Sequence, residues 1–149
     1  MHNRNGDTMN NRQILQLFLK QLQQDRLFLS SVLSTPMTAS LRDLVNIQFW
    51  EYRKIESEIS NIAGSRSWNT YDLSPLASLQ SCIIAKYHTF RLKNDSHIAA
   101  TLIIRQTKSM IQTLALRHRV NIPDSRILNL FQCYLDSHAA AVHLLQEFL

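Results

Sequence analysis

Glycine and proline are scarce in this chain: two of the first and three of the second in 149 residues. Sandwiches and barrels turn about every eight to twelve residues and draw on Gly, Pro and Asn to do so, which excludes an all-β fold. The same scarcity removes any Gly-rich, phosphate-cradling loop, since Gly64 is the one glycine outside the polar N-terminal stretch. Two cysteines cannot form a disulfide framework; Cys82 and Cys133 lie in apolar helical stretches and read as buried, inert thiols. Apolar runs are only a few residues long, so no membrane-spanning segment is expected. Residues 1–11 are polar and lack the apolar core of a secretory signal, so they read as a disordered tail on a cytoplasmic protein.

What is present is helical periodicity. Apolar residues make up 45% of the chain, enough for a real core in one domain of this size. Over 12–33, Leu15, Leu19, Leu22, Leu29 and Leu33 form a stripe that Ile14, Phe18 and Val32 widen, and Ser34-Thr35-Pro36 stops the helix. A second helix starts at Thr38 or Ser40 and runs through Leu41, Leu44, Val45, Gln48, Tyr52, Ile55, Ile59 and Ile62; Gly64 supplies the expected residue just past its end. These two make an αα-hairpin, 12–63. A connection, 64–94, carries Trp68 and Tyr71, then a shorter helix opened by Ser74-Pro75 with Leu76, Leu79, Ile83, Tyr87 and Phe90 on one side.

A second hairpin, 95–149, repeats the plan. Its first helix, 97–119, is capped by Asp95 or Ser96 and points Ile103 or Ile104, Met110, Ile111 and Leu114 inward, with Arg117, His118 and Arg119 in its last turn. After Asn121-Ile122-Pro123, Asp124 or Ser125 caps a last helix whose seam is Leu128, Phe131, Leu135, His138, Val142, Leu145 and Leu149. A shift of 84 residues lays Ile14 on Ile98, Arg42 on Arg126, Leu44 on Leu128 and Gln48 on Gln132, which suggests internal duplication. Two hairpins with apolar faces bury them best against each other, so the expected fold is all-α: a ferritin-like four-helix bundle over 12–149, with an extra short helix in the crossover.

That topology makes a carboxylate-bridged metal centre the first chemistry to test. It requires a Glu from each of two helices and a Glu-x-x-His from each of the others, since i and i+3 aim at one interior spot. The first helix offers Asp25; the second offers Glu51, Glu56 and Glu58, none with a histidine three residues on; 97–119 has no carboxylate; the last offers Asp136 and Glu147. No metal site, catalytic residue or cofactor is expected. Cys133 and His138, five residues apart, fall on different helix faces, which leaves no activated nucleophile. His143 does not share a face with His138 either, and His88, His97 and His118 lie near helix ends. The polar residues on inward stripes are Gln48, Gln132 and His138. They read as core groups that fix register, with His138 bonded across the bundle to Gln48 or Tyr52.

Sixteen Lys+Arg against eleven Asp+Glu leave a net charge of +5, with the positive residues scattered rather than gathered on one face. That pattern argues against nucleic acid as the partner. A basic helical module binding nucleic acid or an acidic protein is the competing reading.

Several segments resemble the bacterial Coat F family of spore-coat-associated, ferritin-like proteins. They are Glu56-Ser57-Glu58-Ile59, the aromatic stretch Gly64-Ser65-Arg66-Ser67-Trp68-Asn69-Thr70-Tyr71, the hairpin opening Asn94-Asp95-Ser96-His97-Ile98-Ala99-Ala100-Thr101-Leu102, Lys108, and Pro123-Asp124-Ser125-Arg126-Ile127-Leu128. The similarity is diffuse and spans most of 12–149. It implies a non-catalytic structural or assembly role in the spore coat, with other coat proteins or a second copy of the chain, as in a homodimer, for partners. The family has no active site to carry over.

Overall fold

A computed structural model describes residues 9–68, 80, 82–86, 92, 94–120 and 124–149. Four long helices dominate them: α1 (Asn11–Leu33), α2 (Ala39–Ser65), α3 (Asp95–Arg117) and α4 (Ser125–Leu145), the last followed by a 3-10 turn, Gln146–Phe148. The short crossover helix expected after Ser74-Pro75 lies largely outside the described residues; Gln80 and residues 82–86 are helical. Pro123, Tyr71 and most of the crossover aromatics also lie outside them.

Short polar side chains start the helices. Asn10 and Gln13 form a reciprocal capping box at α1, with Asn10 Oδ1 accepting from the Gln13 amide at 2.8 Å and Gln13 Oε1 accepting from the Asn10 amide at 3.1 Å. Asn94, not Asp95 or Ser96, caps α3, accepting from the His97 amide at 2.8 Å. Asp124 caps α4 through the amides of Arg126 and Ile127. Residues 9–11 therefore belong to the fold rather than to a disordered tail. Met9 even donates its amide to the Arg119 carbonyl at 2.9 Å.

The end of α2 departs from expectation. Gly64 stays helical, and Ser67 takes the left-handed turn instead, at φ 54°. The Trp68 amide then reaches back to the Ala63 carbonyl and the Ser67 amide to Gly64, the two bonds of a Schellman cap. Those backbone bonds, with Trp68 half-buried on the core, hold a serine where glycine would sit without steric cost.

Contacts between helix ends set their directions. Thr38 at the start of α2 donates both its amide and its hydroxyl to Asp95 at the start of α3. Arg66 at the end of α2 pairs with Asp124 at the start of α4, and Met9 meets Val120 just past α3. So α1 and α4 run one way, and α2 and α3 the other. The helix neighbours are α1 with α2, α2 with α4, α4 with α3, and α3 with α1. Every neighbouring pair is thus antiparallel. The crossover leaves α2 at one end of the bundle and enters α3 at the other.

The core is continuous. Ile14, Phe18, Leu22, Leu29, Val32, Leu41, Val45, Tyr52, Ile59, Ile62, Ile98, Leu102, Phe131, Tyr134 and Leu145 are all buried in it. Phe18 sets its edge against Phe131 at 4.7 Å and Tyr134 at 5.2 Å, the preferred arrangement for aromatic pairs. The α4 stripe is broader than expected, and the α3 stripe is turned. On α4 the expected seam residues Phe131, Leu135, His138 and Leu145 are buried, joined by Ile127, Leu130, Tyr134 and Ala141, while Leu149 is 63% exposed. On α3 the buried residues are Ile98, Ala99, Leu102, Gln106, Ser109 and Thr113, with Ile103 packed on the core and Met110 half-buried; Ile104, Ile111 and Leu114 face solvent. The cause is chemical: the inner face of α3 is polar because it supplies partners to buried groups on α1 and α2.

This rotation gives a direct test by denaturant unfolding. Leu102→Ala should cost about 2–5 kcal/mol, as for a buried leucine. Ile111→Ala should stay within about 0.5 kcal/mol; the reverse order would place the α3 stripe where periodicity alone puts it.

Candidate functional site

The polar groups of the core converge at mid-bundle. Asp25 sits on the apolar stripe of α1, between Leu22 and Leu29, and is 7% exposed. Tyr134 of α4 donates its hydroxyl to Asp25 Oδ2 at 2.5 Å, and Ser109 of α3 donates to Oδ1 at 3.3 Å. Arg105, one turn earlier on α3, brings Nη2 to 3.5 Å from the same oxygen while its guanidinium lies over the Phe28 ring at 4.1 Å. Gln21, one turn before Asp25, donates to the Tyr134 hydroxyl at 3.0 Å and to Thr113 Oγ1 at 2.9 Å. Three helices are tied through one carboxylate.

Burial raises the Asp25 pKa, and the hydrogen bond from Tyr134, the Arg105 charge and the bond from Ser109 partly oppose that rise. Burial also pushes the Tyr134 and Tyr52 hydroxyls above their ordinary range, with the Asp25 carboxylate adding to both. Both phenols therefore stay protonated and act as hydrogen-bond donors.

His138 is fully buried beside this cluster. Its Nδ1 lies 2.8 Å from the Tyr134 carbonyl, which can only accept, so Nδ1 carries the proton. The unprotonated Nε2 then accepts from the Tyr52 hydroxyl at 2.8 Å, joining α4 to α2. The imidazole stacks on Tyr134 at 3.9 Å between ring centres, and Tyr52 stacks on Tyr134 at 6.0 Å. Burial lowers the His138 pKa to about 4, against a smaller raising effect of its bond to the Tyr134 carbonyl, which keeps the ring neutral.

Gln48 of α2 accepts a hydrogen bond from Gln106 of α3, both buried. Gln48 Nε2, Gln106 Oε1 and Arg105 Nε are buried polar atoms without a protein partner. Gln106 and Arg105, with Asp25, Tyr52 and Ser109, line a cavity of about 10 Å³, room for one water molecule.

Of the three polar core positions expected, Gln48 and His138 are buried and Gln132 is not. Gln132 is exposed on α4, bonded to Asp136 at 2.8 Å and to Arg117 at 3.4 Å. It lies at the edge of the α4 stripe, just outside Phe131, so the match of Gln48 to Gln132 under an 84-residue shift is not kept in their environments. Ile14 and Ile98, by contrast, are both fully buried. The thiols are also more open than expected: Cys133 is exposed and Cys82 half-buried. Sequence reasoning weighed Asp25 only as a metal ligand and passed over Tyr134, Ser109 and Gln106. A carboxylate at seam spacing between two leucines was the one legible sign of the cluster.

Among the described residues no group of three or more His, Cys, Asp or Glu side chains is placed to hold a metal ion, and no helix is long and apolar enough to cross a membrane. The hydrogen bonds of Asp25, Tyr134, Ser109, His138 and Tyr52 link all four helices, and their physical effect is to fix the helices' register. No protein-family model matches the chain, and no similar curated protein or solved structure is found.

The neutral, buried His138 predicts a pH dependence with a defined sign. As pH falls below 6.5 the unfolded chain binds a proton that the folded one refuses until about pH 4. Stability is therefore full above pH 6.5 and is lost on the way down to pH 4, by about 3 kcal/mol. Asp25 acts in the opposite sense, because its raised pKa favours the folded state as pH falls. Comparing wild type with His138→Leu isolates the histidine: the urea midpoint of the variant should fall much less between pH 7 and pH 4. Equal losses would mean that His138 is not buried neutral.

Proposed function

We propose that this protein is a non-catalytic structural or assembly component of the spore-coat-associated type, acting through protein–protein contacts, and that its bundle has the ferritin-like topology. The antiparallel ring of helices, with a crossover that travels from one end to the other, supports that topology. The resemblance of 94–102 and 123–128 to Coat F proteins supports the coat setting.

One observation carries the reading. The groups with chemical potential, Asp25, Tyr52, Tyr134 and His138, are turned on one another inside the bundle, while large apolar side chains stand on its outside. Ile47 and Trp50 of α2 and Ile104 and Ile111 of α3 are each between 62% and 70% exposed. Apolar groups on the outer faces of helices serve contacts with other chains better than they serve a monomer in water.

The test is location. An immunoblot of purified spores against vegetative lysate should find the protein enriched in the spore fraction and released by detergent with reductant. Presence only in growing cells, or in cells that form no spores, would remove the coat assignment.

A further inference from the structure

On α2, Asp43, Ile47, Trp50 and Lys54 follow one another at steps of four, three and four, so they form one stripe along the helix. That stripe lies on the side opposite the buried residues Leu41, Val45, Gln48, Tyr52, Ile55 and Ile59. With Asn46 and Glu51 it lines a shallow surface groove. Ile47 is 62% exposed and Trp50 64%, and among the described residues neither Asp43 nor Lys54 is ion-paired.

These six positions are complementary to themselves. In a two-fold, antiparallel pairing of helices centred between Gln48 and Phe49, each residue meets the one equally far on the other side of the centre. Ile47 then faces Trp50 of the second copy, Asp43 faces Lys54, and Asn46 faces Glu51. Each pair contributes twice, as an isologous contact requires. The apolar residues fall at the centre and opposite charges at both ends, the order expected of an antiparallel two-helix seam. No comparable charge pairing exists on the outer face of α3, where Lys108 stands between Ile104 and Ile111 without an acidic residue on that helix past Asp95.

We propose that the outer face of α2 is a homodimer interface, with a second copy of this chain bound antiparallel through Ile47 and Trp50 and locked in register by two Asp43–Lys54 ion pairs. The contact covers about three helical turns, roughly 16 Å. That is smaller than a standard interface, so the dimer is weak, populated at about 100 μM chain and largely dissociated at about 1 μM. The proposal deepens the assembly reading and rests on it for its biological sense. Because it is measured on purified protein, it can fail while spore localisation holds, or hold while localisation fails.

Sedimentation velocity of the full chain at low salt, over that concentration range, tests it. Wild type should pass from monomer to dimer, and Trp50→Glu should remain monomeric with an unchanged helical circular dichroism spectrum. Asp43→Lys and Lys54→Asp should each weaken the dimer by at least about tenfold, since two pairs become two repulsions. The double variant, Asp43→Lys with Lys54→Asp, should return to within about threefold of wild type. A monomeric wild type at 100 μM, a dimer indifferent to Trp50→Glu, or single-charge losses that the double reversal does not recover would each overturn the proposal.

Discussion

A carboxylate placed among leucines at the middle of a helical bundle is strongly unfavourable unless it finds donors, and Asp25 finds them on other helices. Tyr134 comes from α4, Ser109 and Arg105 from α3, and Gln21 extends the set from the turn before on α1. Meeting that demand fixes which face of α3 turns inward, and the polar inner face then explains why Ile104 and Ile111 are left outside. Tyr134 is held in turn by Phe18 and by stacking on His138, whose own bond reaches Tyr52 on α2. Sliding any helix by one turn would break at least one of these bonds, whereas an apolar core of leucines would tolerate the slip.

Much of the architecture was legible in the chain. Apolar spacing located all four long helices, because the stripes of α1 and α2 are mostly apolar despite Gln23, Asp25, Ser31 and Gln48. Capping chemistry offered Asp124 or Ser125 for the start of α4, and Asp124 is the cap. Legibility failed where the buried face is not apolar. On α3 a hydrophobicity rule selects Ile103 or Ile104, Met110, Ile111 and Leu114. Ile103 packs on the core and Met110 is half-buried, but Ile104, Ile111 and Leu114 are exposed, and Gln106, Ser109 and Thr113 are buried with Ile98, Ala99 and Leu102. On α4 the rule found Phe131, Leu135, His138 and Leu145, which are buried, but missed Tyr134 and Ala141 and carried Gln132 into a core it does not enter. The inward pull on Ser109 and Tyr134 comes from Asp25, 84 and 109 residues away in sequence, and no local periodicity encodes that.

Inside and outside thus divide the work. The interior hydrogen bonds around Asp25, Tyr134 and His138 define a single arrangement of helices. The exterior retains apolar residues whose spacing on α2 suits another helix. Trp50 and Ile47 lie on the outer side of the same helix that carries the buried Tyr52 and Gln48.

The most direct test of the central role given to Asp25 is a double-mutant cycle with Tyr134, measured by urea unfolding at pH 7. Asp25→Asn and Tyr134→Phe should each destabilise the protein by about 1–3 kcal/mol, and the double variant should lose clearly less than the sum, with a coupling of about 1–2 kcal/mol. Additive losses would contradict the account, since they would mean that the carboxylate and the phenol do not depend on each other for their place in the bundle.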